Sequence, residues 1–415
     1  MKLLTFLGVG NYQPTLYEWQ SQSFETRFSM AAACHFLKPD SLTLFLTEDA
    51  QQGIYPELKA ELPPSVMVQT VPVPLGSCDA ELWHIFESVS SSVSPGEAVA
   101  FDITHGLRSF PLIGLLAAAF LRSGLDVDLR AVLYGAYDVG RQVSPGRTPM
   151  FDLSPMLSLL EWSAAADRFN RTGDARYLAS IMDDFRRQIA EEAGKDKEKK
   201  RQLYAFGRLC DMLSLTSQAL RLARPVEAMQ AVNGLAGLVE EAQPALERTA
   251  AAGPFRLLME RIEATYSQFG MAQPMAAGTL QTSLAVQQQM IAWYMQREQW
   301  VQAVTLAREW LVSYVMLKLG LEDLLSRSLR ERVSKEINIE AHNWRECQRE
   351  KTAYRSLFLN NVSGLETVLG LWDALAEVRN DIDHAGMRDN PMSAKKLIER
   401  VQYLVDEISK IRIED

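Results

Sequence analysis

Along the first 150 residues, short apolar runs of β-type composition alternate with amphipathic stretches. KLLTFLG (2–8), SLTLFLT (41–47), VMVQTVPV (66–73), AVAFDIT (98–104) and LRAVLYGAY (129–137) predict strands. ETRFSMAAACHFL (25–37), DAELWHIFESVSSSV (79–93) and PLIGLLAAAFLRSG (111–124) predict helices. The last of these opens with a proline in its first turn and closes at Gly124, where a helix end favours glycine. Strands alternating with helices imply right-handed crossovers around a largely parallel, doubly wound sheet, an α/β fold. Gly140, Pro145, Gly146 and Pro149 predict a hairpin or loop that closes this domain.

From about residue 152 the pattern changes. Apolar positions recur every three or four residues among many Leu, Ala, Glu, Gln and Arg, so the rest of the chain is expected to be all-helical. Breaks at Gly253-Pro254 and in GMAQPMAAG (270–278) divide it, giving three expected regions: 1–152, 153–279 and 280–415. KDKEKKR (195–201) is expected to be a solvated face. A chain of 415 residues, 47% hydrophobic and 23% charged, suits a soluble multidomain protein with a sizeable core. Its net charge of −9 excludes a protein that coats nucleic acid, so any RNA site must be a local basic patch.

Cys34, Cys78, Cys210 and Cys347 are far apart and include no CxxC pair, which argues against a disulfide framework or cysteine-rich zinc site. The opening MKLLTFLGVGNY is not read as a signal peptide, because Gly8, Gly10 and Asn11 interrupt its apolar run. The longest clean apolar run, 112–121, is about half a membrane span. A cytoplasmic location is expected, with no membrane partner.

Two strand ends carry unusual chemistry. In an open parallel sheet, ligands bind beyond the carboxyl ends of the strands. GVGN (8–11) follows the first strand, and DITHGLRSFP (102–111) joins a buried strand to a buried helix. Gly106 permits a tight turn, and a helix opening at Ser109-Phe110-Pro111 points free N–H groups into the loop. Arg108 adds a fork matching phosphate oxygens, with further donors from His105 and Thr104. The sum is an anion site. The competing reading is that His105 and Arg108 satisfy buried carbonyls and Asp102.

FLGVGNY, LTED (46–49) and above all DITHGLRSFP resemble the CARF domain, a Rossmann-like nucleotide sensor of CRISPR systems, in the branch fused to helical ribonucleases. The resemblance covers roughly the first 150 residues. It implies a pocket across a dimer two-fold axis that binds cyclic oligoadenylate, with four adenylates the expected ring. The residues it points to are Gly8, Gly10, Asn11, Thr104, His105, Gly106 and Arg108. A symmetric ring needs the same anion site twice, which a homodimer supplies.

The helical half holds one dense polar cluster, VRNDIDHAG (378–386). An arginine to hold a phosphate and a histidine to move a proton are the minimum parts for metal-independent RNA cutting. Arg379 and His384 are five apart, roughly 140° out of line on an ideal helix, so two chains or a helix end would be needed to unite them. A structural ion pair explains such spacing equally well. Asp381 and Asp383 stand ready either to pair with Arg379 or to orient His384.

The RNxxxH pattern, here Arg379, Asn380 and His384, resembles the signature of HEPN ribonucleases, and AREWL (307–311) resembles an earlier helix of that bundle, with Glu309 in a supporting position. The two resemblances together imply a ligand-gated endoribonuclease acting on single-stranded RNA, with a composite site in a homodimer or larger assembly. No metal or cofactor is expected; His35, His84 and His342 stand singly. Arg388, Lys395, Lys396 and Arg400 are candidates to guide RNA or simply to face solvent. The alternative function is a non-catalytic nucleotide-sensing regulator that recruits a partner through its helical half.

Overall fold

The structure, a computed structural model, describes all residues except 194–195, 248–251, 357–358, 360–361, 363, 388 and 414–415. It divides into two compact units, Met1–Glu161 and Trp162–Asp415. Arg388, a candidate RNA guide, and Lys195 of the charge run lie outside the described residues.

The first unit contains eight strands: β1 (Lys2–Leu7), β2 (Thr15–Trp19), β3 (Gln22–Thr26), β4 (Ser41–Leu46), β5 (Met67–Pro72), β6 (Ala98–Asp102), β7 (Asp128–Gly135) and β8 (Arg147–Asp152). Its helices are α1 (Ser29–Leu37), α2 (Glu48–Gly53), α3 (Tyr55–Glu61), α4 (Asp79–Ser90), α5 (Ser109–Gly124) and α6 (Tyr137–Val143). The sheet order is β3-β2-β8-β7-β6-β1-β4-β5. The five strands from β7 to β5 run parallel, as the doubly wound pattern predicts.

Alternation along β1 builds both faces of the sheet. Leu3 and Leu7 join the buried cluster under α1, whereas Leu4 and Phe6 join the one under α4 and α5. The same alternation sends Ala100 and Asp102 of β6 toward α1. After β1 the chain forms the β2–β3 hairpin at one edge, returns beside β1 as β4, moves outward to β5, then crosses back to β6 on the other side of β1. The carboxyl ends of β1 and β6 therefore flank the point where winding reverses, the place such sheets use for ligands.

Three differences from the sequence reading have local causes. Glu25 and Thr26 belong to β3, Arg27 bends the chain and Phe28 is an extended N-cap (φ −113°), so α1 starts at Ser29. The β2–β3 hairpin turns at Gln20, φ 54°, without the Asn-Gly or Asp-Gly signal that usually marks such turns. The closing segment contributes α6 and β8, which lies between β2 (parallel) and β7 (antiparallel); Pro149 precedes the pairing with β7, and its carbonyl accepts from the Ala136 amide at 2.9 Å.

The second unit is helical. Helix α7 (Ser154–Thr172) begins before the division, and α8 (Arg176–Ala193), α9 (Lys197–Arg221), α10 (Pro225–Asn233), α11 (Leu235–Leu246) and α12 (Ala252–Tyr266) follow it. Then come α13 (Leu280–Gln296), α14 (Trp300–Lys318), α15 (Arg327–Glu350), α16 (Leu365–Asp383) and α17 (Ala394–Ser409). Residues 153–279 and 280–415, separate in the sequence reading, share one buried cluster from Trp162 to Ile413. Two of its large aromatics keep their polar atoms bonded: Trp310 Nε1 donates to the Leu284 carbonyl at 2.8 Å and Trp372 Nε1 to Asn338 Oδ1 at 2.7 Å. Among the described residues no helix is long and apolar enough to cross a membrane.

Candidate functional site

The β1 and β6 loops meet at two glycines. A Cβ on Gly8 would lie 3.2 Å from the Gly106 Cα, and Gly106 itself adopts φ +114° with the Phe6 and Phe110 side chains against it. Only glycine fits at Gly106, on grounds of both conformation and space. Beneath the loops, the buried Asp102 carboxylate ties three elements together. Its Oδ2 accepts from Thr5 Oγ1 (3.1 Å) and Ser29 Oγ (2.7 Å), and its Oδ1 from the Thr104 amide (3.1 Å) and hydroxyl (2.6 Å). The same Thr104 oxygen accepts from the Gly135 amide at 2.8 Å, so this hydroxyl is spent inside the fold.

His105 is also engaged. Its Nε2 accepts from the Ser29 amide at 3.1 Å, capping α1, which requires the imidazole to carry its proton on Nδ1. Burial, opposed by the Asp102 charge, keeps its pKa below the ordinary histidine value. The Tyr12 ring meets it edge-on at 4.6 Å, and the Tyr12 hydroxyl donates to the Gly8 carbonyl at 2.7 Å. Burial first, opposed by that hydrogen bond, raises the Tyr12 pKa to about 12, so it remains a neutral donor.

What faces solvent is a different set. Gly10 and Asn11 are exposed, with Asn11 Oδ1 accepting from Gln13 Nε2 at 2.7 Å. Arg108 is exposed at the N-cap of α5 and makes no ion pair or side-chain hydrogen bond among the described residues. It stands at the positive end of the α5 dipole, which attracts anions, but the expected free N–H groups of Ser109-Phe110-Pro111 are reduced, since the Phe110 amide donates to the Leu107 carbonyl at 2.9 Å and Pro111 has no N–H. Thr47, at the end of β4 in the LTED segment, caps α2 by accepting from the Ala50 amide at 3.4 Å.

The RNDIDH segment ends α16. Arg379, Asn380, Asp383 and His384 are all exposed, and His384 is the C-cap, φ −88° and ψ 6°. Ala385 and Gly386 then turn left-handed and let their amides bond Ile382 and Asp381 carbonyls. Arg379 Nε meets Asp383 Oδ2 at 3.0 Å, an i,i+4 pair with both side chains nearly half exposed. Asp381 is buried instead. Lys395, Lys396 and Arg400 are exposed on α17.

A neighbour that the spacing of RNxxxH does not reveal is Arg308 of α14. Its guanidinium lies over the Trp372 ring at 4.3 Å, with Nη1 3.4 Å from Glu309 Oε1. Burial keeps its pKa below the usual arginine value against the pull of Glu309, and the nearby charges of Arg379 and Arg330 add to that. Its buried Nε has no hydrogen-bond partner. Arg308 falls within AREWL, so the signal was the segment itself. Glu309 is fixed by Arg330, at 2.7 Å.

Among the described residues, no group of three His, Cys, Asp or Glu side chains gathers as metal ligands would. The four cysteines are free, with burial lifting the pKa of both Cys34 and Cys210 to about 12. His35 stacks on Phe24 at 4.4 Å.

Residues 158–273 match the family described as CRISPR-associated protein MJ1674, second domain. The chain is similar to the CRISPR-associated protein MJ1674 of Methanocaldococcus jannaschii, 31% identical over 118 residues. That alignment covers 28% of this chain and 18% of the relative, so the likeness spans under a fifth of that protein's length. The family match falls on α7 to α12 and includes neither the β1 and β6 loops nor the end of α16.

Proposed function

We propose that the protein is an endoribonuclease of type III CRISPR antiviral defence, activated by cyclic oligoadenylate, most simply the tetra-adenylate, and cutting single-stranded RNA without a metal. The observation that carries this reading is the exposed end of α16, where Arg379, Asn380 and His384 stand in solvent beside a second, half-buried cation, Arg308. The similarity of α7–α12 to a CRISPR-associated protein supports the biological setting. The first unit is then a CARF-type sensor and the helical unit a HEPN-type nuclease.

The chemistry follows from the side chains. The His384 imidazole takes the proton of the RNA 2′-hydroxyl, whose oxygen attacks the adjacent phosphorus. Arg379, with Arg308 behind it, holds the extra charge on the phosphate oxygens. The 5′-oxygen leaves and recovers a proton from a second imidazolium, which a partner copy supplies. Leu112, Leu116 and Phe120, each half exposed or more along one face of α5, support such pairing of copies. Activation requires the ring to bind the cutting-competent arrangement better than the resting one.

A second reading, a non-catalytic sensor that recruits a partner, is favoured by one observation: in the single chain Arg379 is already paired with Asp383. One assay decides. Single-stranded RNA is incubated with the protein in EDTA, with and without each cyclic oligoadenylate. Activator-dependent fragments that vanish in His384→Ala support the nuclease. Intact RNA under every condition, with ring binding retained, establishes the recruiting sensor instead.

A further inference from the structure

Between α10, α14 and α15 lies a cavity of about 390 Å³. Its apolar floor is formed by Val226, Met275, Leu306 and Leu324. Neutral polar groups edge it, among them Gln230, Thr305 and the nearly buried Gln287. Its charges balance, with Arg224 and Arg330 against Glu227 and Glu309. Arg330 and Glu309 satisfy each other, and Arg330 also donates to Ser313 Oγ and the Leu324 carbonyl, both at 2.8 Å. That wall is fixed. Arg224 and Glu227, by contrast, are exposed and without an ion pair among the described residues.

The charge on either side of the cavity is not balanced. On one side Asp174, 4% exposed, is held by Arg176 (2.7 Å), Arg168 (3.0 Å) and Arg221 (3.3 Å). Three cations share one anion, and Arg168 and Arg221 keep nearly half of their side-chain surface in solvent. Gln302 Nε2 donates to the Arg221 carbonyl at 3.3 Å, which fastens the Arg221–Arg224 turn to α14. On the other side is Arg308, beside Arg379. Gln302, Thr305 and Glu309 span about 10 Å of α14 at its ordinary rise, so this helix carries the whole series.

A neutral cavity with an apolar floor and amide edges, between two patches of excess positive charge, matches one nucleotide of a strand. The base enters and the phosphates stay outside. We infer that this cavity is a nucleobase subsite for single-stranded RNA, with the flanking phosphates on Arg224 and Arg221 and the strand continuing toward Arg308. The inference rests on the RNA-cutting reading and names where its substrate is gripped. Glu227, as a free acceptor, favours bases that present an exocyclic amine, so adenine and cytosine should be preferred to uracil.

The test uses the full-length protein and short 2′-O-methyl oligomers of A, C or U, which lack the attacking hydroxyl, read by fluorescence anisotropy with and without cyclic tetra-adenylate. The wild type should bind the A and C oligomers more tightly than U. Thr305→Trp, which fills the cavity from an exposed position, should raise Kd by about tenfold and erase the preference. Arg224→Glu should weaken all oligomers and reduce the salt slope by about 1 or more. Circular dichroism establishes that both variants fold. Wild-type binding by both variants, or no RNA binding by the wild type, overturns the subsite. RNA cut by the wild type and equally by both variants sinks the subsite alone. Weakened binding in the variants of a protein that cuts no RNA supports the subsite and sinks the nuclease.

Discussion

The strand ends at β1 and β6 and the helix end at α16 carry the same two functional groups, imidazole and guanidinium, with the imidazole in opposite states. At the sheet, His105 is tied to the Ser29 amide and stands over the Asp102 hub, and only Arg108 is left to face solvent. At α16 both groups are exposed, and among the described residues the one ion pair they make is the solvent-accessible pair of Arg379 with Asp383. A group spent on the fold positions others and is costly to remove. An exposed group adds little stability and is free to meet a ligand or another chain. The sheet edge thus has the character of a rigid reader and the helix end that of an unfinished site.

Breaking the comparison should be hardest at its most buried member. Asp102→Ala leaves three hydroxyls, those of Thr5, Ser29 and Thr104, and the Thr104 amide without their acceptor, and should cost the first unit about 3 kcal/mol or more in urea unfolding. A smaller loss than about 1 kcal/mol would mean the hub does not hold the loops. Next, Arg379→Ala and His384→Ala should each lower activated RNA cutting by about a hundredfold or more, yet shift stability by less than about 0.5 kcal/mol. A comparable loss of stability would place them with His105 as fold-holding groups. Arg108→Ala should weaken cyclic oligoadenylate binding by about tenfold in calorimetry, with the melting temperature unchanged.

The smallest effect is one of pH. The His105 pKa is lowered in the fold, so the unfolded chain binds its proton first as pH falls. Stability linked to this residue is therefore complete above the ordinary value of about 6.5 and declines as pH drops through the interval below it. In His105→Gln, whose amide oxygen can still accept from Ser29, that decline between pH 7 and 5.5 should flatten. An unchanged profile would show that other groups set the acid response.

Much of this architecture is legible in the residues. The continuous apolar runs at 2–8, 41–47 and 98–104 announce central parallel strands, and the three-to-four spacing after 152 announces helices. The β2–β3 hairpin was hidden because its strands, TLYEW and QSFET, are short, half polar and joined by a turn with no glycine. The expected junction at 280 is of another kind. Gly270, Pro274 and Gly278 mark a chain break, but burial runs straight across it through Phe269, Leu280 and Leu284. For the site, motif residues could be named, yet their states could not. Nothing in DITHGLRSFP says that the histidine faces inward and the arginine outward, since that depends on Ser29 and Thr5 from elsewhere in the chain. Arg308 escaped because its relevance comes from lying over Trp372, a contact made in space.

The Gly8–Gly106 contact has a consequence for how these strand-end loops can diversify. A Cβ on Gly8 would press on the Gly106 backbone, and Gly106 is held to glycine by its φ of +114° and by the Phe6 and Phe110 side chains, so neither position can vary alone. A lineage or a designer seeking to bind a different anion there is left with the exposed rim: Val9, Gly10, Asn11 and Arg108. Specificity can drift there one residue at a time, while the hinge of the two loops stays locked.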